Sequence, residues 1–352
     1  MQRSRFVRSF FSKTVSYGVL IGSFMCARIC STPVAQAGEI GHYNPGVMNI
    51  RDFAMPEPGV YGNVYNYWYW TNRLNDKNGN AVSTITVGPG QGVSLGLNVD
   101  VNVYAIAPTV IWVSDWKVLG ARYGAFIAPS FANSSVGASL SRTTGTGRSV
   151  QSSQFDVGDL FVQPLWLGWS QKNWDFAFGY GFYAPVGRYN IETVTLPHLG
   201  TVKAEAIDNI GLGFWTHQFQ GAATWYAGEH RATAVSAALT YEINEKKKDF
   251  DLTPGNVMTL NWGVSHYLPL NKDNKLLLEV GLTGYSAWQI TDDAGTDAIN
   301  PDVHDQVHAV GGQLGLAYVP WNAAVKLHYL HEYYAEDRFL GDVIGASAVI
   351  KF

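Results

Sequence analysis

The feature that most constrains the fold of this chain is a strict two-residue alternation of apolar and polar side chains. Between residues 93 and 105, valine, leucine and alanine occupy every odd position, and smaller or more polar residues lie between them. Successive side chains of a β-strand point to opposite faces, so this period predicts a strand with one apolar and one polar face. The same alternation recurs at 175–182, 258–265 and 276–283. A soluble β-sandwich would show the same period, so the length of the runs has to decide between the two.

The length of the runs favours a membrane protein. They need about 9–13 residues, the span of a tilted strand that crosses a bilayer, whereas strands of soluble proteins average about 5–6 residues. No stretch of about 18 consecutive apolar residues is present, so the sequence contains no transmembrane helix. Strands can cross a membrane only as a closed barrel, because the hydrocarbon offers no hydrogen bonds to unpaired backbone groups.

Short and long connections alternate between the predicted strands. The short connections are 115–120, 171–173, 227–231, 269–275, 319–322 and 335–340, and the longer polar ones are 71–92, 134–154, 187–208, 244–256 and 291–305. Between them lie twelve strands, at roughly 59–70, 93–113, 121–133, 155–169, 174–186, 211–226, 232–243, 257–268, 276–290, 306–318, 323–334 and 341–352. We therefore predict an all-β fold, a transmembrane antiparallel up-and-down β-barrel of about 12 strands with short periplasmic turns and longer external loops. A β-bulge is expected at Gly311-Gly312, which breaks the parity of the tenth strand.

Aromatic residues and the C-terminus support the same fold. Tryptophan and tyrosine collect beside the short turns, as in the interfacial girdle of a membrane barrel. The members of this group are Trp116, Trp169, Trp174, Tyr226, Tyr267, Tyr318 and Trp321. The last strand ends on Phe352, with apolar residues at every second position before it. Such an ending resembles the signal of outer-membrane proteins for the barrel-assembly machinery, which we expect to be a partner.

The N-terminus predicts export. Basic residues, an uncharged stretch from Val15 to Ala27, and Ala35-Gln36-Ala37 predict a signal peptide over 1–37 that is cleaved before Gly38. Cleavage removes five of 24 basic residues and none of 28 acidic ones, so the mature chain carries 19 against 28, a net charge of −9. An acidic chain does not favour nucleic acid as a partner. Both cysteines leave with the signal peptide.

Residues 38–58 precede the first predicted strand, and the barrel is predicted to occupy 59–352. Asn44-Pro45-Gly46, Pro56 and Pro58 do not favour a strand ladder. Two interpretations remain open at this point. The segment either folds into the lumen as a small hatch or forms a periplasmic tail.

Polar and aromatic side chains on the predicted inward faces are the candidates for a solute path. They are Asp100, Arg122, Asp159, Tyr183, Glu242, Glu279, Tyr285, His308, Lys326, His328 and Glu332. Such residues either line a water-filled lumen that filters solutes or fill a narrow barrel through paired hydrogen bonds. Lys326, His328 and Glu332 share one face of one strand, so we expect some of them to neutralise one another.

The residues do not favour catalysis or a metal. Ser265 and His266 are adjacent and so point to opposite faces, and no G-x-S-x-G motif is present. His304 and His308, with Asp302 and Asp305, have no spacing that defines a metal geometry. We therefore expect neither catalytic residues nor a cofactor.

Several motifs carry a family resemblance. Residues 181–189 (GFYAPVGRY) are similar to the aromatic-Ala-Pro-x-Gly-x-Tyr segment of a known family, with Val186 where that family has threonine. Further matches are Asn209-Ile210-Gly211, 241–244 (YEIN), Asp251, Pro254-Gly255, Gly284-Tyr285, 289–293 (QITDD), Glu332, Arg338 and Gly341. Over residues 41–352 the chain resembles the outer-membrane transporter family of the meta pathway of phenol degradation, whose relatives include sphingosine-responsive porins. The resemblance implies passage of small apolar or aromatic compounds and no catalytic residues.

These observations predict a passive channel in the outer membrane of a Gram-negative bacterium. Its expected partners are outer-membrane lipid and small, hydrophobic or aromatic solutes. The alternative is a structural or adhesive barrel that binds through external connections 134–154 and 187–208. Loops that project above a fully plugged lumen would favour the alternative.

Overall fold

A computed structural model describes residues 41–87, 93–142, 145–196, 200–206, 209–228, 230–298 and 300–352. The predicted signal peptide lies outside these residues. The strands are β1 (Gly59–Thr71), β2 (Thr84–Val87), β3 (Val93–Val118), β4 (Ala121–Ala128), β5 (Phe131–Arg142), β6 (Gly145–Val157), β7 (Leu160–Ser170), β8 (Trp174–Ala184), β9 (Ile191–Leu196), β10 (Gly200–Glu205), β11 (Thr216–Ala227), β12 (Thr233–Asn244), β13 (Val257–Pro269), β14 (Leu276–Gln289), β15 (Gln306–Tyr318), β16 (Ala323–Glu336) and β17 (Asp342–Lys351). No helix among the described residues is long and apolar enough to cross a membrane.

Twelve strands close into an antiparallel barrel, which confirms the predicted fold and strand number. β1 pairs with β17 on one side and with β3 on the other. The circuit runs from β3 through β4, β7, β8 and β11 to β17, each strand paired with the next. The first and last strands of the barrel, β1 and β17, lie side by side. Directly after β17, the Phe352 amide donates to the Val60 carbonyl oxygen of β1 at 2.9 Å. Within the described part of the chain, each strand of this circuit pairs with a neighbour on both sides, as hydrocarbon surroundings require.

The faces of the wall are inverted relative to a soluble protein. Large apolar side chains such as Val110, Leu314 and Leu327 are more than half exposed on the outside. Glutamine, glutamate and histidine side chains are buried inside. An apolar exterior around a polar interior suits a wall that is surrounded by lipid.

The external connections are more regular than the sequence predicts. Residues 134–142 and 145–154 belong to a stretch that we expected to form a loop, but they lie in the paired strands β5 and β6, because the alternation of β3 continues far enough to pair with β5 from Gly96 to Ile106. β4 pairs with the other end of β3, so β4 and β5 are two halves of one interrupted strand. A second hairpin, β9–β10, lies within 187–208.

The bulge expected at Gly311-Gly312 is wrongly placed. Both glycines pair without a break, with Leu330 and Tyr329. The irregularity lies instead at His308, where Tyr333 of β16 is an extra residue between two paired positions. A side chain on Gly311 would clash with the Tyr329 carbonyl oxygen, so Gly311 allows the two strands to approach closely and does not form a bulge.

Candidate functional site: the barrel interior

Residues 41–58, here called the N-terminal segment, cross the barrel interior. Near the external end, His42 contacts Asp159 and Thr216. At the periplasmic end, Glu57 contacts Arg122, and β1 begins two residues later. Between these points the segment contacts inward-facing side chains of β12 to β17. Residues 41–58 therefore lie among inward-facing side chains of the wall.

The external end of the segment is held by a buried hydrogen-bond chain. The side-chain nitrogen of Asn244 donates to the Gly255 carbonyl oxygen. The side-chain oxygen of Asn244 therefore points towards Thr216 and accepts a hydrogen bond from the Thr216 hydroxyl at 2.7 Å. Thr216 Oγ1 lies 2.7 Å from His42 Nδ1, and the Asp159 carboxylate lies 2.9 Å from His42 Nε2. The imidazole ring of His42 therefore bridges Thr216 and Asp159 through its two nitrogens.

Asp159 also joins three stretches of backbone. It lies at the break between β6 and β7, and its carboxylate accepts from the Gly187 and Leu212 amides, each at 2.8 Å. A Cβ at Gly187 or Gly211 would lie 2.8 Å from Asp159 Oδ1. Glycine at these two positions allows the backbone to approach the carboxylate closely.

In the middle of the barrel, the wall binds the backbone of the segment. The Tyr43 amide donates to Glu242 Oε1 at 2.9 Å, and the Gly46 amide donates to Asn261 Oδ1 at 3.0 Å. Gly46 has a φ of +78°, and a Cβ there would lie 2.5 Å from Leu330 Cδ1. Only glycine meets both conditions without strain.

Two ion pairs hold the periplasmic half of the N-terminal segment, which supplies the cation in one pair and the anion in the other. Arg51 of the segment lies 3.2 Å from Glu279 of the wall, and Asp52 of the segment lies 2.7 Å from Lys326 of the wall. Both pairs are buried. The Arg51 guanidinium also lies 4.0 Å above the ring of Tyr267 and donates to backbone carbonyls of the β11–β12 turn. Each charge on the segment is matched by an opposite charge on the wall, so release of the segment would leave Glu279 and Lys326 without these partners.

The opposite half of the interior contains a cavity of about 360 Å³. It lies between the segment and the half-wall formed by β1, β3, β4, β7, β8 and β11. Aromatic, small and amide side chains share its lining, including Tyr67, Ala105, Ala107, Phe126, Phe161, Gln163, Trp166, Tyr183, Gln218 and Gln220. The charged lining residues Asp52, Asp159 and His42 already have hydrogen-bond or ionic partners. The cavity thus offers a largely apolar environment of small-molecule size.

A comparison with known protein families shows to which family this chain belongs. The family described as "Putative MetA-pathway of phenol degradation" matches residues 71–347. The chain belongs to this phenol-degradation family. No curated protein matches the chain.

The family membership agrees with the solved structures that the chain resembles. An outer-membrane channel from Pseudomonas putida F1 superposes with a TM-score of 0.56 at 16% identity, over 88% of this chain and 100% of the other. A FadL homologue from Pseudomonas aeruginosa gives 0.39 at 12% identity, over 93% and 100%. A mutant of the monoaromatic hydrocarbon channel TodX gives 0.37 at 10% identity, over 84% and 90%. The first similarity shows a shared fold, and the closed barrel lies in the outer membrane of a Gram-negative bacterium.

The motifs that resemble the phenol-degradation family meet at the external rim. Gly187 and Leu212 hold Asp159, and Asn244 binds Gly255. On the far side of the rim, the Gly341 amide donates to Glu332 Oε2 at 2.6 Å. These motifs therefore build the frame around the mouth of the barrel.

Eight of the eleven predicted path residues contact the N-terminal segment. They are Arg122, Asp159, Tyr183, Glu242, Glu279, Tyr285, Lys326 and His328. Glu332 also faces inward, and it accepts from the Tyr285 hydroxyl at 2.7 Å. Of these residues, Asp159 and Tyr183 line the cavity.

Asp100 and His308 lie on the outer face, contrary to the inward position we expected. Asp100 is exposed because the odd-numbered residues of β3 face the interior, as Val103 does in the cavity. His308 faces outward because parity is unbroken at Gly311-Gly312, and its ring lies between Trp288 and the tyrosines of the β16 bulge.

The sequence reasoning missed the glutamines of the cavity. Gln218 and Gln220 alternate with Phe219 in β11, which is the same period that identified the strand. Their amides carry no charge, whereas most of the candidates that the sequence suggests for the solute path are charged residues.

Proposed function

We propose that this protein is an outer-membrane channel for passive uptake of small hydrophobic or aromatic molecules. The single observation that carries the proposal is the apolar cavity beside the N-terminal segment. Its aromatic lining, with Phe161, Trp166 and Tyr183, fits the faces of a ring. Transport of this kind needs no cofactor and no nucleophile, so we propose a protein without enzymatic activity.

The ion pairs of the segment support selectivity for uncharged solutes. The charged half of the interior is occupied by contacts such as Arg51–Glu279 and Asp52–Lys326. An ion that entered the remaining cavity would lose its hydration, and the charged residues that it would meet there already have partners. An uncharged aromatic ring loses little hydration free energy when it enters the same cavity.

Uptake by intact cells tests the proposal. A strain that lacks the gene is complemented with the wild type, with Ala107→Phe, or with the outward-facing control Val110→Phe. Ala107 lines the cavity, so phenylalanine there should fill it and reduce uptake of labelled toluene several-fold. Val110 lies on the lipid face, so its variant should behave as the wild type.

Planar bilayers add a second test. The wild type should show little ion conductance, and deletion of residues 38–58 should give a large, stable conductance. Heat-modifiable electrophoretic mobility confirms that each variant has folded. If the gene and the Ala107→Phe change have no effect on uptake of any aromatic solute, the channel proposal is wrong and adhesion through the external hairpins becomes the better explanation.

We also propose that the barrel-assembly machinery recognises the last strand through Phe352. This residue is 82% exposed at the periplasmic end and therefore accessible. Phe352→Ala should lower the amount of assembled barrel without changing the properties of the barrels that form.

A further inference from the structure

Two glutamine side chains in the cavity wall have no protein partner for their amides. Gln163 of β7 and Gln218 of β11 are 2% and 3% exposed, and both line the cavity. Among the described residues, neither side-chain amide forms a hydrogen bond with another group, and Gln218 Oε1 is fully buried. Buried amides are nearly always paired, so two unpaired ones in a single cavity need an explanation.

Two glycines of β8 lie between the strands that carry the two amides. The inward positions of β8 between β7 and β11 include Gly179 and Gly181. Gly181 pairs with Gln218, and a Cβ at Gly179 would lie 2.6 Å from Gln163 Nε2. A Cβ at Gly181 would lie 2.6 Å from the Phe161 ring. The glycines therefore allow the Gln163 amide and the Phe161 ring to lie close to β8 at the edge of the cavity.

The chemistry of an amide identifies the group that it would bind. An amide both donates and accepts, and so does a hydroxyl group. A carboxylate offers acceptors only, and it would enter beside the carboxylates of Asp52 and Asp159. A plain hydrocarbon would leave both amides unpaired. The rings of Phe161 and Trp166 lie in the same cavity and fit an aromatic body.

We propose that Gln163 and Gln218 form a subsite for the hydroxyl group of an uncharged aromatic molecule. The channel then prefers phenol-like solutes over hydrocarbons of equal size and over aromatic carboxylates. This inference rests on the proposed function, because it assumes that the cavity is on the solute path.

Binding to the detergent-solubilised full-length mature protein tests the subsite. Phenol, toluene and benzoate are titrated, and quenching of tryptophan fluorescence is followed. Trp166 lines the cavity, so Trp166→Phe identifies the part of the signal that reports on it. We expect the wild type to bind phenol more tightly than toluene and to bind benzoate weakly.

Apolar replacements of the amides should remove this preference. Gln163→Leu and Gln218→Leu should each lower the ratio of phenol to toluene affinity about fivefold, the effect of one hydrogen bond, and leave toluene binding intact. Gly179→Ala should act in the same direction, because the added methyl group displaces the Gln163 amide. Gln306→Leu is the matched control, since Gln306 binds Glu336 outside the cavity.

The outcomes separate this inference from the proposed function. An unchanged ratio in the Gln163→Leu/Gln218→Leu double variant, or a wild type that binds toluene as tightly as phenol, would overturn the subsite. Uptake of toluene by cells would then still support the channel. Loss of the channel proposal itself would show in the uptake experiment with Ala107→Phe, which does not depend on the amides.

Discussion

The ion pair between Asp52 and Lys326 allows a quantitative test of how the N-terminal segment is held. Lys326→Met removes the ammonium group and leaves the Asp52 carboxylate in a buried site. Loss of one partner of a buried pair costs about 3–5 kcal/mol. Asp52 keeps hydrogen bonds from Asn49 and Tyr65, so we expect the lower end, about 3 kcal/mol. This corresponds to a rise of about 150-fold in the ratio of released to inserted segment.

Cysteine labelling can measure this ratio. The predicted mature chain contains no cysteine, so Ile50→Cys introduces a single thiol at a position that is 1% exposed. A maleimide should react with this thiol only after the segment leaves the interior. In that background, Lys326→Met should accelerate labelling by about two orders of magnitude, if release and reinsertion are fast relative to the reaction.

The double variant Asp52→Asn/Lys326→Met is the decisive control. Replacing both members of a buried pair with uncharged groups is often close to neutral, so labelling should return towards the rate of the parent. Equal labelling rates for Lys326→Met and its parent would refute the reasoning, because the pair would then contribute nothing to insertion. A double variant that labels faster than the single one would refute it as well.

Three further predictions concern the segment and the rim. His42→Gln removes the imidazole ring that lies 2.9 Å from the buried Asp159 carboxylate, so planar-bilayer recordings should show more frequent opening than in the wild type. Gly46→Ala forces a Cβ against Leu330 at a positive φ, so the same thiol-labelling assay should show release facilitated by about 1–2 kcal/mol or more. Burial and the neighbouring carboxylates raise the pKa of Asp337, in the external β16–β17 turn, to about 7. Because this pKa is above the unfolded value, Asp337 destabilises the fold once it ionises. Asp337→Asn should therefore raise the free energy of unfolding in urea at pH 8 by about 1–2 kcal/mol, after allowance for solvent screening, and this effect should disappear towards pH 4.

The wall of the barrel could be predicted from sequence because one local rule governs it. Alternation assigns each residue to a face, and lipid outside the wall makes the apolar face visible in every strand. The rule fails where the parity of a strand is misjudged. Gly311-Gly312 suggests a bulge in β15, whereas the parity of β15 is unbroken, His308 faces outward, and the extra residue is Tyr333 of β16. A bulge in a partner strand leaves no sign in the sequence of the first strand.

The interior could be predicted only in part, because its contacts join residues that are far apart in sequence. The prolines and glycine of 38–58 excluded a strand but left open where the segment lies. Its insertion depends on partners such as Glu279 and Lys326, more than 200 residues away. The β5–β6 hairpin was missed for a similar reason, since its pairing is fixed by β3 rather than by a turn signal of its own.

The distribution of inward residues explains why the barrel has both a held segment and a cavity. The inward face of β12 to β16 carries Glu242, Glu279, Lys326 and His328, which bind the segment. The inward faces of β3 and β8 carry alanine and glycine instead, as at Ala105 to Ala107 and at Gly179 to Gly181. These small residues do not fill the space beside the segment, which is bound by the charged half, so a cavity remains on the other side. Ion pairing on one half-wall and small side chains on the other therefore produce the cavity together.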